Sequence, residues 1–189
     1  MGMPFDPHAV SATPVRDAML ARRSSPKVTD ASPTHEELLD LVAAAGRVAD
    51  HANLAPWRLV ELRGDDRVRF SEAIGRINGT EPSDKPLRAP LLIAIVSSPT
   101  PHPKVPTWEQ EAVASGVGHI LSLLLGEAGY GVIWRTGPFA ASPEIADLHG
   151  LADTEKLMGW LYVGGRTERD TPRRQVDAGR FLTRFPTAD

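Results

Sequence analysis

The sequence predicts an α+β chain: a sheet of about four strands with helices packed around it. Three observations carry that expectation. Stretches with apolar residues at helical spacing alternate with short apolar runs bounded by proline or glycine. Leu91-Leu92-Ile93-Ala94-Ile95-Val96 is an unbroken apolar run between prolines, as in a strand covered on both faces. The 189 residues contain no internal repeat and suit one domain, placed at 13–189, with a core that needs no staple.

The elements follow in order. Residues 1–12 read as a loose leader, broken by Pro4 and Pro7. Thr13-Pro14 starts a first helix, a capping residue followed by proline in the first turn. That helix ends near Arg22, and Ser24-Ser25-Pro26 closes it. Thr34 caps a second helix, with Glu37 three residues later completing a capping box. Leu38, Leu41, Val42 and Ala45 then repeat at helical spacing. Strands are expected at 58–62, 91–96, 131–134 and 156–163. Further helices are expected at 65–77, from Thr107 or Trp108 to near Gly129, and from Ser142-Pro143 to near Leu148. The longest helix carries Ala112, Gly116, Ile120, Leu123 and Leu124 around much of its surface, so it should be covered on several sides. The tail, 177–189, holds Phe181, Leu182 and Phe185 with no obvious partner in the chain. It packs either on another subunit or, as a frayed end, on its own domain.

Composition removes several function classes. Lys and Arg number 21 against 24 Asp and Glu, a net charge of -3 without a basic stripe, which argues against nucleic acid or an anionic membrane as partner. With no cysteine there is no disulfide, thiolate metal site or cysteine nucleophile, and a reducing, cytoplasmic setting is expected. No apolar run approaches the roughly 20 residues of a membrane span, and the first residues lack the pattern of a signal peptide. The histidines are dispersed without metal-binding spacing, so no metal site is expected.

Three segments hold chemistry. Arg22-Arg23-Ser24 offers two forked guanidiniums and a hydroxyl, donors that match phosphate oxygens. Taken alone, it reads first as a basic helix end interacting with the macrodipole. The loop 46–57 gathers Arg47, Asp50, His51 and Asn53 ahead of Pro56-Trp57, dense for a connector. Trp134-Arg135-Thr136-Gly137 ends a strand, where turning exposes backbone N–H groups and glycine permits close approach of a flat ligand. Lys104 and Trp108, before the long helix, are candidates for a substrate pocket or simply for capping that helix. Gly126-Glu127-Ala128-Gly129-Tyr130-Gly131 lies between helix and strand, the reverse of the dinucleotide-binding order, and reads as a helix end with a tight turn.

In their joint order these segments, with Arg88-Ala89-Pro90 and Leu161-Tyr162-Val163-Gly164, resemble the short, single-domain branch of the nitroreductase family. The resemblance implies a mostly antiparallel sheet of four to five strands in a homodimer with a domain-swapped tail and FMN at the interface. It implies NAD(P)H as reductant and a small nitroaromatic or quinone-like molecule as acceptor, the two reacting in turn by ping-pong hydride transfer. By similarity, Arg22, Arg23 and Ser24 bind the FMN phosphate and ribityl chain. Arg47 and His51, with Asn53, reach FMN from the partner subunit, and Trp134, Arg135, Thr136 and Gly137 line the flavin. Leu124, Leu125, Gly126, Glu127, Ala128 and Gly129 match a region assigned to NAD(P). No catalytic side chain is required, since the chemistry is borne by the flavin. Arg47 near the ring would stabilise negative charge gathered there. The same residues leave open a non-catalytic flavin-storage protein and a specialised reductive enzyme. Ala55 stands where many family members have Gln, and 166–174 matches nothing in the pattern.

Overall fold

The computed structural model describes residues 14–167 and 176–185; the leader, Thr13, the segment 168–175 and residues 186–189 lie outside them. The elements are α1 (Pro14–Ala21), β1 (Val28–Thr29), α2 (His35–Ala45), β2 (Trp57–Arg63), α3 (Asp65–Asn78), β3 (Leu91–Ser97), α4 (Thr107–Glu127), β4 (Tyr130–Arg135), α5 (Pro143–Leu148) and β5 (Lys156–Arg166). The four expected strands form. The two-residue β1, which sequence patterning leaves inside a loop, adds a fifth, because two residues carry no readable period.

Every strand pairing is antiparallel. β5 is the axis of the sheet. β3 pairs along 156–163 and β4 along 160–165, so they flank β5 on opposite edges, and β2 lies outside β3. β1 pairs with the last residues of β5, with Val28 opposite Arg166. All seven residues of β3 are buried, which is why its apolar run does not alternate.

Alternation along the strands divides the core in two. Leu91, Ile93, Ile95, Leu161 and Val163 face α2 and α4, whereas Leu92, Ala94, Val96, Trp160 and Tyr162 face α3 and α5. The capping box of α2 is complete: the Thr34 hydroxyl accepts from the Glu37 N–H at 3.2 Å, and the Glu37 carboxylate accepts from the Thr34 N–H at 2.8 Å. Ser142 precedes α5 but its side chain makes no capping bond, so proline in the first turn starts that helix instead.

Two surfaces differ from a self-contained domain. α4 buries Val113, Ala114, Val117, Leu121 and Leu125 on one face, but Ala112 is exposed and Ile120, Leu123 and Leu124 are half-buried, so covering on several sides is incomplete within one chain. α1 buries none of its residues and exposes Val15, Met19 and Leu20. In the tail, Phe181, Leu182 and Phe185 are 77%, 81% and 92% exposed.

Candidate functional site

Three arginines line one cleft. Arg22 and Arg23 follow the end of α1, and the Ser25 N–H donates to the Val132 carbonyl at 2.9 Å, docking this segment on β4. The pairing of β1 with β5 brings Arg166 to the same place, where its guanidinium donates to the Gly126 carbonyl at 3.2 Å at the end of α4. The cleft has a volume of about 480 Å³ and is walled by Ser122, Leu123, Tyr130 and Val132. Forked donors from three arginines, beside walls that mix apolar residues with the acids Asp17 and Glu127, suit a ligand with a phosphate at one end and an uncharged body.

The expected residues divide around this cleft. Arg22 and Arg23 line it; Ser25 does so in place of Ser24, which is exposed to one side. Gly126 and Glu127 line it too, whereas Leu125 is fully buried in the core and cannot touch a dinucleotide. Leu124 packs against the same core, half-buried, and Ala128 and Gly129 are exposed at the turn into β4. Arg166 is the residue that sequence reasoning missed. Its approach to Arg22 depends on strand register across well over a hundred residues, and no local signal announces it.

The strand end at Trp134-Arg135 sends its two side chains to opposite faces of the sheet, as period-two alternation requires. The Trp134 indole N–H donates to the Met158 carbonyl at 3.2 Å, and the His119 ring lies 4.8 Å away. Arg135 instead lies over the Tyr162 ring at 5.4 Å, so both side chains cannot line one face of a flavin. The Arg135 Nε is buried without a hydrogen-bond partner among the described residues. Burial pushes the Tyr162 phenol up to about 12, against the opposing influence of Arg135 and Arg88. Thr136 is exposed and Gly137 half-buried at the turn that follows.

The loop after α2 forms a second, shallower groove of about 520 Å³, lined by Val48, Asp50, His51, Val105, Trp108 and Glu109 among others. His51 Nδ1 lies 2.9 Å from a Glu109 carboxylate oxygen, joining this loop to the start of α4. Ala52, Asn53 and Ala55 all have positive φ (63°, 52° and 48°), a concentration of backbone strain in residues that have a Cβ. The Asp50 carboxylate braces the loop by accepting from the Ala55 N–H at 2.7 Å. Trp108 is 67% exposed beside the groove. Arg47, Asn53 and Lys104 line neither cavity. Within one chain, therefore, Arg47 and His51 do not share the arginine cleft.

Residues 19–165 match the model of the nitroreductase family. The chain belongs to that family. Its members are oxidoreductases. One curated relative, "Putative NAD(P)H nitroreductase YdjA" of Escherichia coli K12, is 32% identical over 179 residues, covering 89% of this chain and 98% of the relative. Among solved structures, a nitroreductase-like family protein of Bacillus cereus superposes with a TM-score of 0.78 at 20% identity, covering 93% of this chain and 97% of that one. A point mutant of the FMN- and NADPH-dependent nitroreductase NfnB, from a Sphingopyxis strain, superposes at 0.73 with 19% identity, covering 89% of this chain and 97% of its own. These likenesses agree with the nitroreductase-like α+β sheet described above. Among the described residues no helix is long and apolar enough to cross a membrane.

Proposed function

We propose that this nitroreductase-family chain is an FMN-dependent oxidoreductase that oxidises NAD(P)H and passes the electrons to a nitroaromatic or quinone-like acceptor. The observation that supports it is the convergence of Arg22, Arg23 and Arg166 on one cleft in a chain whose structural neighbours include an FMN-dependent nitroreductase. The residues fit the group: Arg22, Arg23 and Arg166 match its phosphate, and Leu123 and Val132 match an apolar body.

When bound, FMN supplies the two-electron redox chemistry. The chain's own work is binding and orientation. Arg22, Arg23 and Arg166 hold the phosphate, and the Trp134–Gly137 backbone offers N–H donors at the strand end. The reductant and the acceptor use the open side in turn, and Gly126 and Glu127 are the residues of the expected NAD(P) region that face the cleft.

The functional unit is a homodimer spanning 13–189, acting in the cytoplasm, with the tail from 177 laid on the partner. The exposed large apolar residues of α1, α4 and the tail support this, because large apolar groups gain from burial against a partner. In such a dimer the strained loop would bring Arg47 and His51 to the partner's cleft, and the Trp108 groove would border the acceptor.

Purified protein should be yellow, and anaerobic NADH or NADPH should bleach it. Restoration of the colour by menadione or nitrofurazone, with parallel-line steady-state kinetics, completes the test. Yellow protein that neither nucleotide bleaches would favour flavin storage. Colourless protein that cannot be reconstituted with FMN would overturn the reading.

A further inference from the structure

Two glycines from different elements meet at one side chain. On α4, a methyl group at Gly118 would come within 2.9 Å of the Trp134 ring and 2.5 Å of Ile95 Cδ1. On β5, Gly159 has φ 124°, and a methyl group there would sit 2.5 Å from Trp134 Nε1, 2.7 Å from the Arg135 carbonyl oxygen and 2.9 Å from Thr136 Cγ2. Gly159 also stands where the register of β5 against β3 slips: Ile95 faces Gly159 but Val96 faces Leu157, so Met158 is extra. The carbonyl of that extra residue receives the Trp134 indole N–H. A β-bulge of this kind re-aims side chains beside functional sites.

We propose that Gly118, the Met158–Gly159 bulge and Trp134 form a socket that sets the position of the Trp134–Gly137 backbone, and through it the seating and redox poise of the flavin. The inference rests on the FMN reading above. Trp134 fills the space left by two missing side chains and is tied by one hydrogen bond. Its backbone therefore has little freedom to rise or fall against α4. Gly118 and Gly159 act through Trp134, as positioning residues; neither needs to touch the ligand. The chemistry that assigns the socket is packing: only hydrogen fits at 118 and 159 while the indole stays where it is.

Gly118→Ala tests this by crowding the ring, and Trp134→Phe relieves the ring's share of that crowding, because phenylalanine lacks the outer ring atoms that the methyl would meet, while the contact with Ile95 Cδ1 remains. FMN affinity by fluorescence titration, the flavin midpoint potential and the melting temperature are measured for wild type, both single variants and the double variant. G118A is expected to weaken FMN binding about tenfold and to move the potential, and the double variant is expected to fall short of the sum of the two single effects, because W134F removes the ring that the methyl would meet. If G118A does not fold, W134F alone decides, since it empties the socket and removes the indole bond; it should shift affinity and potential. Unchanged affinity and potential in folded G118A, or in W134F where it decides, would overturn the socket, as would effects of G118A and W134F that simply add in the double variant. Wild-type protein that takes up no FMN would instead bring down the cofactor reading, and the socket with it.

Discussion

Arg58 on β2 and Glu155 just before β5, 97 residues apart, close a paired ion bridge with contacts of 2.7 and 2.6 Å. The same carboxylate accepts from the Ser98 hydroxyl and the Ala152 N–H, and the Arg58 guanidinium also reaches the Gly150 carbonyl. One acid thus ties the start of β2 and the exit of β3 to the entry of β5, across the sheet that carries the site.

The hydrogen bonds from Arg58 hold the Glu155 carboxyl at about 2, well below its usual 4.5. A carboxylate depressed on folding stabilises the protein above the unfolded value and loses that contribution as pH falls toward the folded value. The contribution should therefore be complete above about pH 4.5 and disappear between there and about pH 2. Glu155→Gln should cost about 1.5–3 kcal/mol at neutral pH, the range for charge-assisted hydrogen bonds. It should also flatten acid unfolding across that window. Urea titrations of both proteins at several pH values give the comparison, and parallel curves would contradict it.

His149 adds an acid sensitivity of the same sign in a higher pH window, from a buried neutral ring. It is buried between Phe70 and Trp160; its Nδ1–H donates to the Ile145 carbonyl at 2.8 Å, and its Nε2 accepts from the Trp160 indole at 2.9 Å. Both nitrogens are committed as a neutral ring, and burial lowers its affinity for a proton below the usual 6.5. The unfolded chain gains a proton as pH falls through 6.5 while the folded chain resists, so stability declines below that point. His149→Gln should lower the melting temperature at pH 8 yet show a shallower decline from about pH 7 to pH 5. Equal slopes in the two proteins would show that His149 does not titrate in this window.

How far this was readable in the sequence differs by element. β3 was evident because seven buried residues need no alternation, and α2 because Thr34 and Glu37 spell out a capping box within four residues. β1 and the cleft were not, since both depend on which segments meet. Val28 opposite Arg166 decides β1, and it also carries a basic residue with no local signature into the cleft lined by Arg22 and Arg23. Ser25 rather than Ser24 faces the cleft because the Ser25 N–H is held by Val132, a bond to a strand more than a hundred residues away. The family resemblance ordered the motifs correctly, but register determines which side chain of each motif points inward.

Arg166 yields the most direct test of the cleft. Arg166→Ala removes one forked donor and should weaken FMN binding by about 1.5–3 kcal/mol, roughly tenfold to a hundredfold. Arg166→Lys keeps the charge without the fork and should fall between alanine and wild type. Raising the salt concentration should narrow the difference between lysine and alanine, which rests on charge alone. Wild-type affinity in the alanine variant would remove Arg166 from the phosphate site.

The tail supplies the remaining test. Phe181, Leu182 and Phe185 are almost fully exposed in one chain, and so are Val15 and Met19 on α1 for more than half of their surface. Large apolar groups are worth about 1.5–3 kcal/mol each when buried, so a partner that covers even part of this surface gains substantially. Ending the chain after residue 176 should convert a dimer to a monomer at micromolar concentration and release the flavin, because the loop bearing Arg47 and His51 would no longer reach the partner's cleft. Replacing Phe181, Leu182 and Phe185 together with serine should do the same without shortening the chain. Sedimentation velocity and flavin retention on gel filtration read the two consequences separately. A truncated chain that stays dimeric would locate the interface on α1 and α4 rather than the tail, and a monomer that still holds FMN would place the whole cofactor site within a single subunit.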